Sequence, residues 1–244
     1  MSMRKIRKAL ALTYFYIYNR IAPAFLKLDD KGVVFLTDAH EILDGNLKAI
    51  KDYIETEKID LRIQSFCRGD RRKAISFAEF RAICRAMTSC KYIILDDFYG
   101  LTSSIKLRNN QKLVQLWHGS GAFKKFGYSR LEADMNPRVV HSGYRKYTGA
   151  LVSAEGVRKC FAEAFGISVD KVKALGSPRS DMLFDNEFKT ESKSKLISAF
   201  PELNGKKIIL FAPTYRGERV EAANYDFDKL SPKQFMSEIG DEYR

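Results

Sequence analysis

Residues 115–128 read Gln-Leu-Trp-His-Gly-Ser-Gly-Ala-Phe-Lys-Lys-Phe-Gly-Tyr, which puts His118 where an apolar run meets a glycine turn backed by lysines. A histidine exchanges a proton near neutral pH and can serve as a general base. Gly119 and Gly121, with Ser120 between them, let the backbone turn N–H groups toward an anion, and Lys124 and Lys125 add full positive charge. The pattern suits activation of a hydroxyl beside a phosphate. It also suits a packed Trp-His pair at a strand end, with the histidine satisfied by a backbone carbonyl and the glycines serving only the turn.

Three further blocks follow in order: Val152-Ser153-Ala154-Glu155, then Leu175-Gly176-Ser177-Pro178-Arg179-Ser180-Asp181, then Ala212-Pro213-Thr214-Tyr215-Arg216. With the Trp-His block they resemble the CDP-glycerol glycerophosphotransferases of teichoic acid and capsule synthesis. The likeness runs from about Lys91 to about Gly217 and is closer in form to the priming enzymes than to the long polymerases. It implies a two-domain GT-B arrangement and transfer of glycerol phosphate from CDP-glycerol, the donor substrate, to a hydroxyl of a lipid-linked acceptor, with release of CMP. In that chemistry His118 is the base. Gly119, Ser120, Gly121, Lys124, Lys125, Arg179 and Arg216 surround the phosphates. For Arg179 a second role stands beside this one, a turn residue pairing with Asp181.

Asp96 and Asp97 end an apolar run. Adjacent residues of an extended strand point to opposite faces, so the pair does not chelate one ion, though either could orient a ligand hydroxyl or His118. Asp96, Asp97 and Asp181 are therefore supporting candidates. No metal site and no cofactor is implied, and the residues leave open whether a divalent ion assists. His40 and His141 read as structural. Cys67, Cys84, Cys90 and Cys160 form no Cys-x-x-Cys pair and read as small buried residues of a reducing compartment.

These groups need a scaffold, and 32–36, 61–66, 92–95, 113–117, 149–152 and 172–175 read as short apolar strands. Helical periodicity at 46–58, 74–89 and 154–165 alternates with them. This order predicts an α/β fold, a Rossmann-like parallel sheet with helices on both faces, whose strand C-terminal ends hold the site. Ser153 is the expected N-cap of the third helix. Residues 186–195 are polar and predict a surface helix or connector. Residues 206–211 predict a new apolar strand that opens a second Rossmann-like domain.

The chain has 244 residues, 45% of them apolar, and a formal net charge of +12. The positive charge suits a polyanion partner. Nucleic acid is disfavoured, because zinc-finger spacing, a basic heptad helix and the aromatic-glycine signature of RNA-binding sheets are all absent. Residues 1–28 hold six basic and no acidic side chains, and 98–131 are also free of Asp and Glu. The apolar run 9–18 covers roughly 15 Å as a helix, half of a hydrocarbon core of about 30 Å, so it does not span a bilayer. Two readings stand for it: an interfacial helix on an anionic membrane surface, or a helix packed on its own domain.

The expected organisation is thus a basic membrane-associating segment at 1–28, an acceptor-side Rossmann-like domain at 29–200, and at 201–244 the start of a donor-binding domain cut short. The family's second domain carries much of the CDP-glycerol pocket and a second important histidine, and no residues here correspond to them. The expectation is a peripheral protein of the cytoplasmic membrane face, incomplete as a catalyst unless a second chain or self-association supplies that half. Alternatives are a GT-B glycosyltransferase using a nucleotide sugar, and a non-catalytic remnant that binds membrane or polymer.

Overall fold

The computed structural model describes residues 3–69, 75–130, 143–212, 224–225, 231–239 and 243. The chain divides into two compact units, Met1–Asp181 and Met182–Arg244. The first is built on six parallel strands, β1 (Asp29–Thr37), β2 (Arg62–Cys67), β3 (Cys90–Leu95), β4 (Lys112–Gln115), β5 (Gly149–Val152) and β6 (Val172–Ala174). Their order is β2-β1-β3-β4-β5-β6, so the chain builds outward in both directions from the β1/β3 pair. The carboxyl ends of β1 and β3 therefore form the topological switch point, where open parallel sheets leave a crevice for ligands.

The central strands β1, from Val33 on, and β3 are apolar without strict alternation because both faces are covered. On one face Val34, Leu36, Ile93 and Leu95 pack with Ile83 and Met87 of α3 (Phe77–Ser89), Phe161 and Phe165 of α4 (Arg158–Phe165), and Phe15 of α1 (Met3–Ile21). On the other, Val33 and Phe35 pack with Leu47 and Ile54 of α2 (Gly45–Thr56) and with Leu116. Local signals set the helix starts. The Asp44 side chain accepts from Gly45 N, and the Ser76 hydroxyl accepts from Glu79 N at 3.1 Å.

The N-terminal helix packs on its own domain. Phe15 is fully buried, and the buried Asn19 side chain donates to Thr88 Oγ1 at 3.1 Å while accepting from Lys106 N at 2.7 Å. Tyr14 meets Phe77 edge-on at 5.7 Å. Its other face leaves Leu10, Tyr16, Ile17 and Ile21 exposed, and Phe25 beyond it is 87% exposed. No helix among the described residues is long and apolar enough to cross a membrane.

Three expectations are corrected here. Ser153 does not cap a helix: a 3-10 turn, Glu155–Val157, precedes α4, and the hydroxyl turns back to donate to Ser120 O. Cys84 and Cys90 are buried, with thiols pushed up by burial to about 12 and about 11, but Cys67 is half-buried and Cys160 is exposed on the outer face of α4. Residues 206–211 form no strand. Only Lys207 makes a bridge, to Tyr243, because an apolar run becomes a strand only where a neighbour pairs with its backbone.

The second unit contains α5 (Asn186–Ala199), the surface helix expected at 186–195, capped by Asp185 through Glu187 N at 2.8 Å and Phe188 N at 3.1 Å. It buries no residue, as suits a helix polar on all sides. The helix α6 (Pro232–Ile239) follows. His141 and Arg216 lie outside the described residues.

Candidate functional site

The site assembles at the carboxyl ends of β3, β4 and β6 around the turn at Trp117 and His118. After β4 the chain turns at Trp117, whose φ of +56° is a left-handed conformation that costs a bulky residue about 1–3 kcal/mol. The expected turn residues Gly119 and Gly121 do not take this conformation. Side chains hold Trp117 in it. Its N–H donates to Gln115 Oε1 at 2.8 Å, and its carbonyl accepts from Asn46 Nδ2 at 2.7 Å. Gln115, fully buried, is itself fixed, its Nε2 donating to Asp97 O at 3.1 Å and to Tyr147 Oη at 2.9 Å. The indole is stacked between His118, with centroids 4.6 Å apart, and Phe126, at 4.5 Å.

His118 is exposed, and its Nδ1 lies 3.3 Å from the Asp96 carbonyl oxygen. A carbonyl only accepts, so this contact selects the tautomer with the proton on Nδ1 and leaves a lone pair on Nε2. That is the arrangement a general base needs. A strand-end histidine satisfied by a carbonyl is thus what the structure contains, and the same bond orients it for proton transfer.

Arg179 sits with it. Its Nη2 donates to His118 O at 2.7 Å rather than to Asp181, which corrects the turn-pairing alternative. Asp181 is exposed. Ser120 is tied by its carbonyl to Ser153, so the loop 118–121 is pinned to the end of β5. Lys124 and Lys125 are exposed on the following irregular segment, and among the described residues neither makes an ion pair. They are cations available to an anion from solvent.

Asp96 and Asp97 follow β3 and differ in environment, as residues of adjacent parity should. Asp97 is half-buried and its Oδ1 accepts from Phe98 N at 2.6 Å. Asp96 is 6% exposed and its Oδ1 has no hydrogen-bond partner. Burial raises its pKa above the ordinary carboxylate value, an effect that the Thr37 side chain, at the end of β1, partly offsets. Asp96 therefore stands at the switch point, and through its backbone it supports His118. Among the described residues no three His, Cys, Asp or Glu side chains gather as metal ligands.

Sequence reasoning did not single out Asn46 or Gln115. The three side chains that hold the turn at His118, Asn46, Gln115 and Arg179, come from α2, β4 and the turn after β6, and of these only Arg179 was a sequence candidate.

The family model described as CDP-Glycerol:Poly(glycerophosphate) glycerophosphotransferase matches residues 16–244. A teichoic acid poly(ribitol-phosphate) polymerase of Bacillus spizizenii is 35% identical over 240 residues, covering 98% of this chain and 38% of the relative. The teichoic acid ribitol-phosphate polymerase TarK of Staphylococcus aureus is 37% identical over 205 residues, 82% of this chain and 39% of the relative. A teichoic acid glycerol-phosphate primase of Bacillus subtilis is 27% identical over 98% of this chain. The chain thus spans well under half the length of the two polymerases. In structure it is similar to the wall teichoic acid polymerase TagF, with a TM-score of 0.66 at 17% identity, over 100% of this chain and 64% of that one. At that identity the likeness speaks to the fold, which is GT-B-like. By the match along nearly its whole length, the chain belongs to the CDP-glycerol:poly(glycerophosphate) glycerophosphotransferase family.

Proposed function

We propose that the chain carries the acceptor-side chemistry of a transferase that moves glycerol phosphate from CDP-glycerol to a hydroxyl of a lipid-linked acceptor in teichoic acid synthesis. The observation that carries this reading is His118, exposed at the end of β4 with Nδ1 turned to the Asp96 carbonyl and Nε2 open. An alcohol of pKa about 16 is a poor nucleophile without a base. In the proposed step Nε2 takes the hydroxyl proton as the acceptor oxygen bonds to the phosphorus that bears glycerol. The P–O bond to CMP breaks, and CMP leaves with the electron pair. Lys124, Lys125 and the remaining N–H groups of Arg179 neutralise the charge that develops on the phosphates, with Gly119, Ser120 and Gly121 lining the approach. The sequence assigns Arg216 the same duty.

A second donor is supported by the relatives. The two at 35% and 37% identity are named for ribitol phosphate, whereas the 27% relative is named for glycerol phosphate. The same base and cations serve either polyol, because the reacting atoms are identical. CMP release from CDP-glycerol and from CDP-ribitol, with UDP release from a UDP-sugar as the control, separates the readings. Turnover of a CDP-polyol alone is expected. Turnover of the UDP-sugar alone would replace the proposal with a glycosyltransferase.

The reading includes peripheral attachment to the anionic, cytoplasmic face of the membrane. Its support is the exposed apolar face of α1 and a groove of about 470 Å³ lined by Tyr14, Ile17, Tyr18, Ile21, Phe25 and Arg85. Arg7, Lys8 and Lys27 are exposed near it along the chain, while Arg20 is held by the carbonyls of Tyr16, at 2.9 Å, and Ser104, at 3.2 Å.

A further inference from the structure

Asn46 lies in the first turn of α2, 4% exposed, yet its side chain makes none of its hydrogen bonds to its own helix. Nδ2 donates to Trp117 O at 2.7 Å, and Oδ1 accepts from both Ser177 Oγ and Arg179 N at 3.0 Å. These partners lie 71, 131 and 133 residues away in sequence. They belong to the two segments that bring His118 and Arg179 to the site. Arg179 closes the circuit by donating to His118 O at 2.7 Å.

The arrangement fixes three successive peptide groups around the turn at Trp117 and His118. The Trp117 N–H is taken by Gln115, its carbonyl by Asn46, and the next carbonyl, that of His118, by Arg179. Trp117 is left-handed, a conformation a tryptophan keeps only where its surroundings hold it there. If the turn relaxes, the His118 ring swings away from the Asp96 carbonyl and the preference for a proton on Nδ1 goes with it. Asp96 Oδ1, buried and without a partner, leaves that backbone carbonyl as the group of Asp96 seen to face the imidazole.

We propose that Asn46 is a positioning residue, holding the strained Trp117 peptide and the Arg179 turn so that His118 presents Nε2 to substrate. The catalytic part of this inference rests on the reading of His118 as the base, whereas its geometric part does not. Asn46 touches no substrate in this scheme and acts through His118 and Arg179.

The test reads both parts. The chain has three histidines, so their ring nitrogens are separable by two-bond ¹H–¹⁵N correlation, with His118→Ala giving the assignment. The intact chain is expected to show His118 protonated on Nδ1 when neutral. Asn46→Ala, its fold checked by circular dichroism, is expected to show a mixture of tautomers. Asn46→Asp keeps the acceptor for Ser177 and Arg179 but loses the donor to Trp117 O, and is expected to show the same mixture; it also serves if Asn46→Ala does not fold.

In turnover, Asn46→Ala is expected to lower kcat about 100-fold, the loss that roughly 1 Å of misplacement produces, while KM for the CDP-polyol changes by less than about threefold. Added to His118→Ala it should cost far less than a further 100-fold, since the part that runs through His118 is already lost and only the part through Arg179 remains. An unchanged His118 spectrum in a folded Asn46 variant, or losses that multiply with His118→Ala, overturns the proposal. Full turnover by His118→Ala with an altered tautomer in Asn46→Ala would instead sink the base assignment and leave the positioning role standing.

Discussion

The Asp96 carboxyl pairs burial with a missing hydrogen bond, and its pKa is raised in the fold by desolvation. A group whose folded pKa exceeds its unfolded value of about 3.8 binds more protons folded than unfolded. Its ionisation therefore weakens the fold as pH rises from 3.8 through the raised value. Asp96→Asn removes that penalty. Thermal melts should show the variant more stable than the parent at about pH 7.5, with the gain vanishing near pH 3.5, where both side chains are neutral. A gain of equal size at both pH values would contradict the account. At this scale the sequence made His118 and the cations legible, because histidine, glycine and lysine at close spacing carry their chemistry openly. Asn46 and Gln115 were hidden, since an amide has no charge or spacing that announces a partner 71 residues away or across a tight turn.

The sheet elements were legible to within a few residues. The central strands β1 and β3 are built on apolar runs, and Asp44 and Ser76 mark the starts of α2 and α3. The terminal helix left two readings open in the sequence, and the structure gives each a face: Phe15 and Asn19 inward, Ile17, Ile21 and Phe25 outward. Phe15→Ala should cost about 3–5 kcal/mol in denaturant unfolding, the range for a truncated buried phenylalanine. Ile17→Ser and Phe25→Ser should each stay within about 0.5 kcal/mol. If the proposed membrane role holds, the same two serine variants lose binding to anionic vesicles while Phe15→Ala, where still folded, keeps it. The strand expected at 206–211 was not legible as a coil, because apolar content measures a wish for burial and not the presence of a pairing neighbour. Ile208, Ile209, Leu210 and Phe211 are all exposed by 41% or more.

Across the whole molecule the charge of +12 is gathered at the terminal helix and around 98–131 rather than spread evenly. Attraction of the chain to anionic vesicles should fall steeply between about 0.05 M and 0.5 M salt, as screening shortens from roughly 14 Å to 4 Å. Salt-independent binding would point to the apolar face of α1 alone. The α/β class and the parallel sheet followed from the alternation of elements. The switch point did not, since strand order is set by crossovers that leave no mark on composition. What joins the scales is one claim: the sheet, its strained turn and three side-chain clamps exist at this place to aim His118. It is tested most directly by CMP release from CDP-glycerol and CDP-ribitol with a lipid-linked disaccharide acceptor analogue, comparing the chain with folded His118→Ala. The account predicts turnover by the chain and a loss of at least about 100-fold in the variant, the lower bound for a missing general base. A variant that turns over at the parental rate would contradict it.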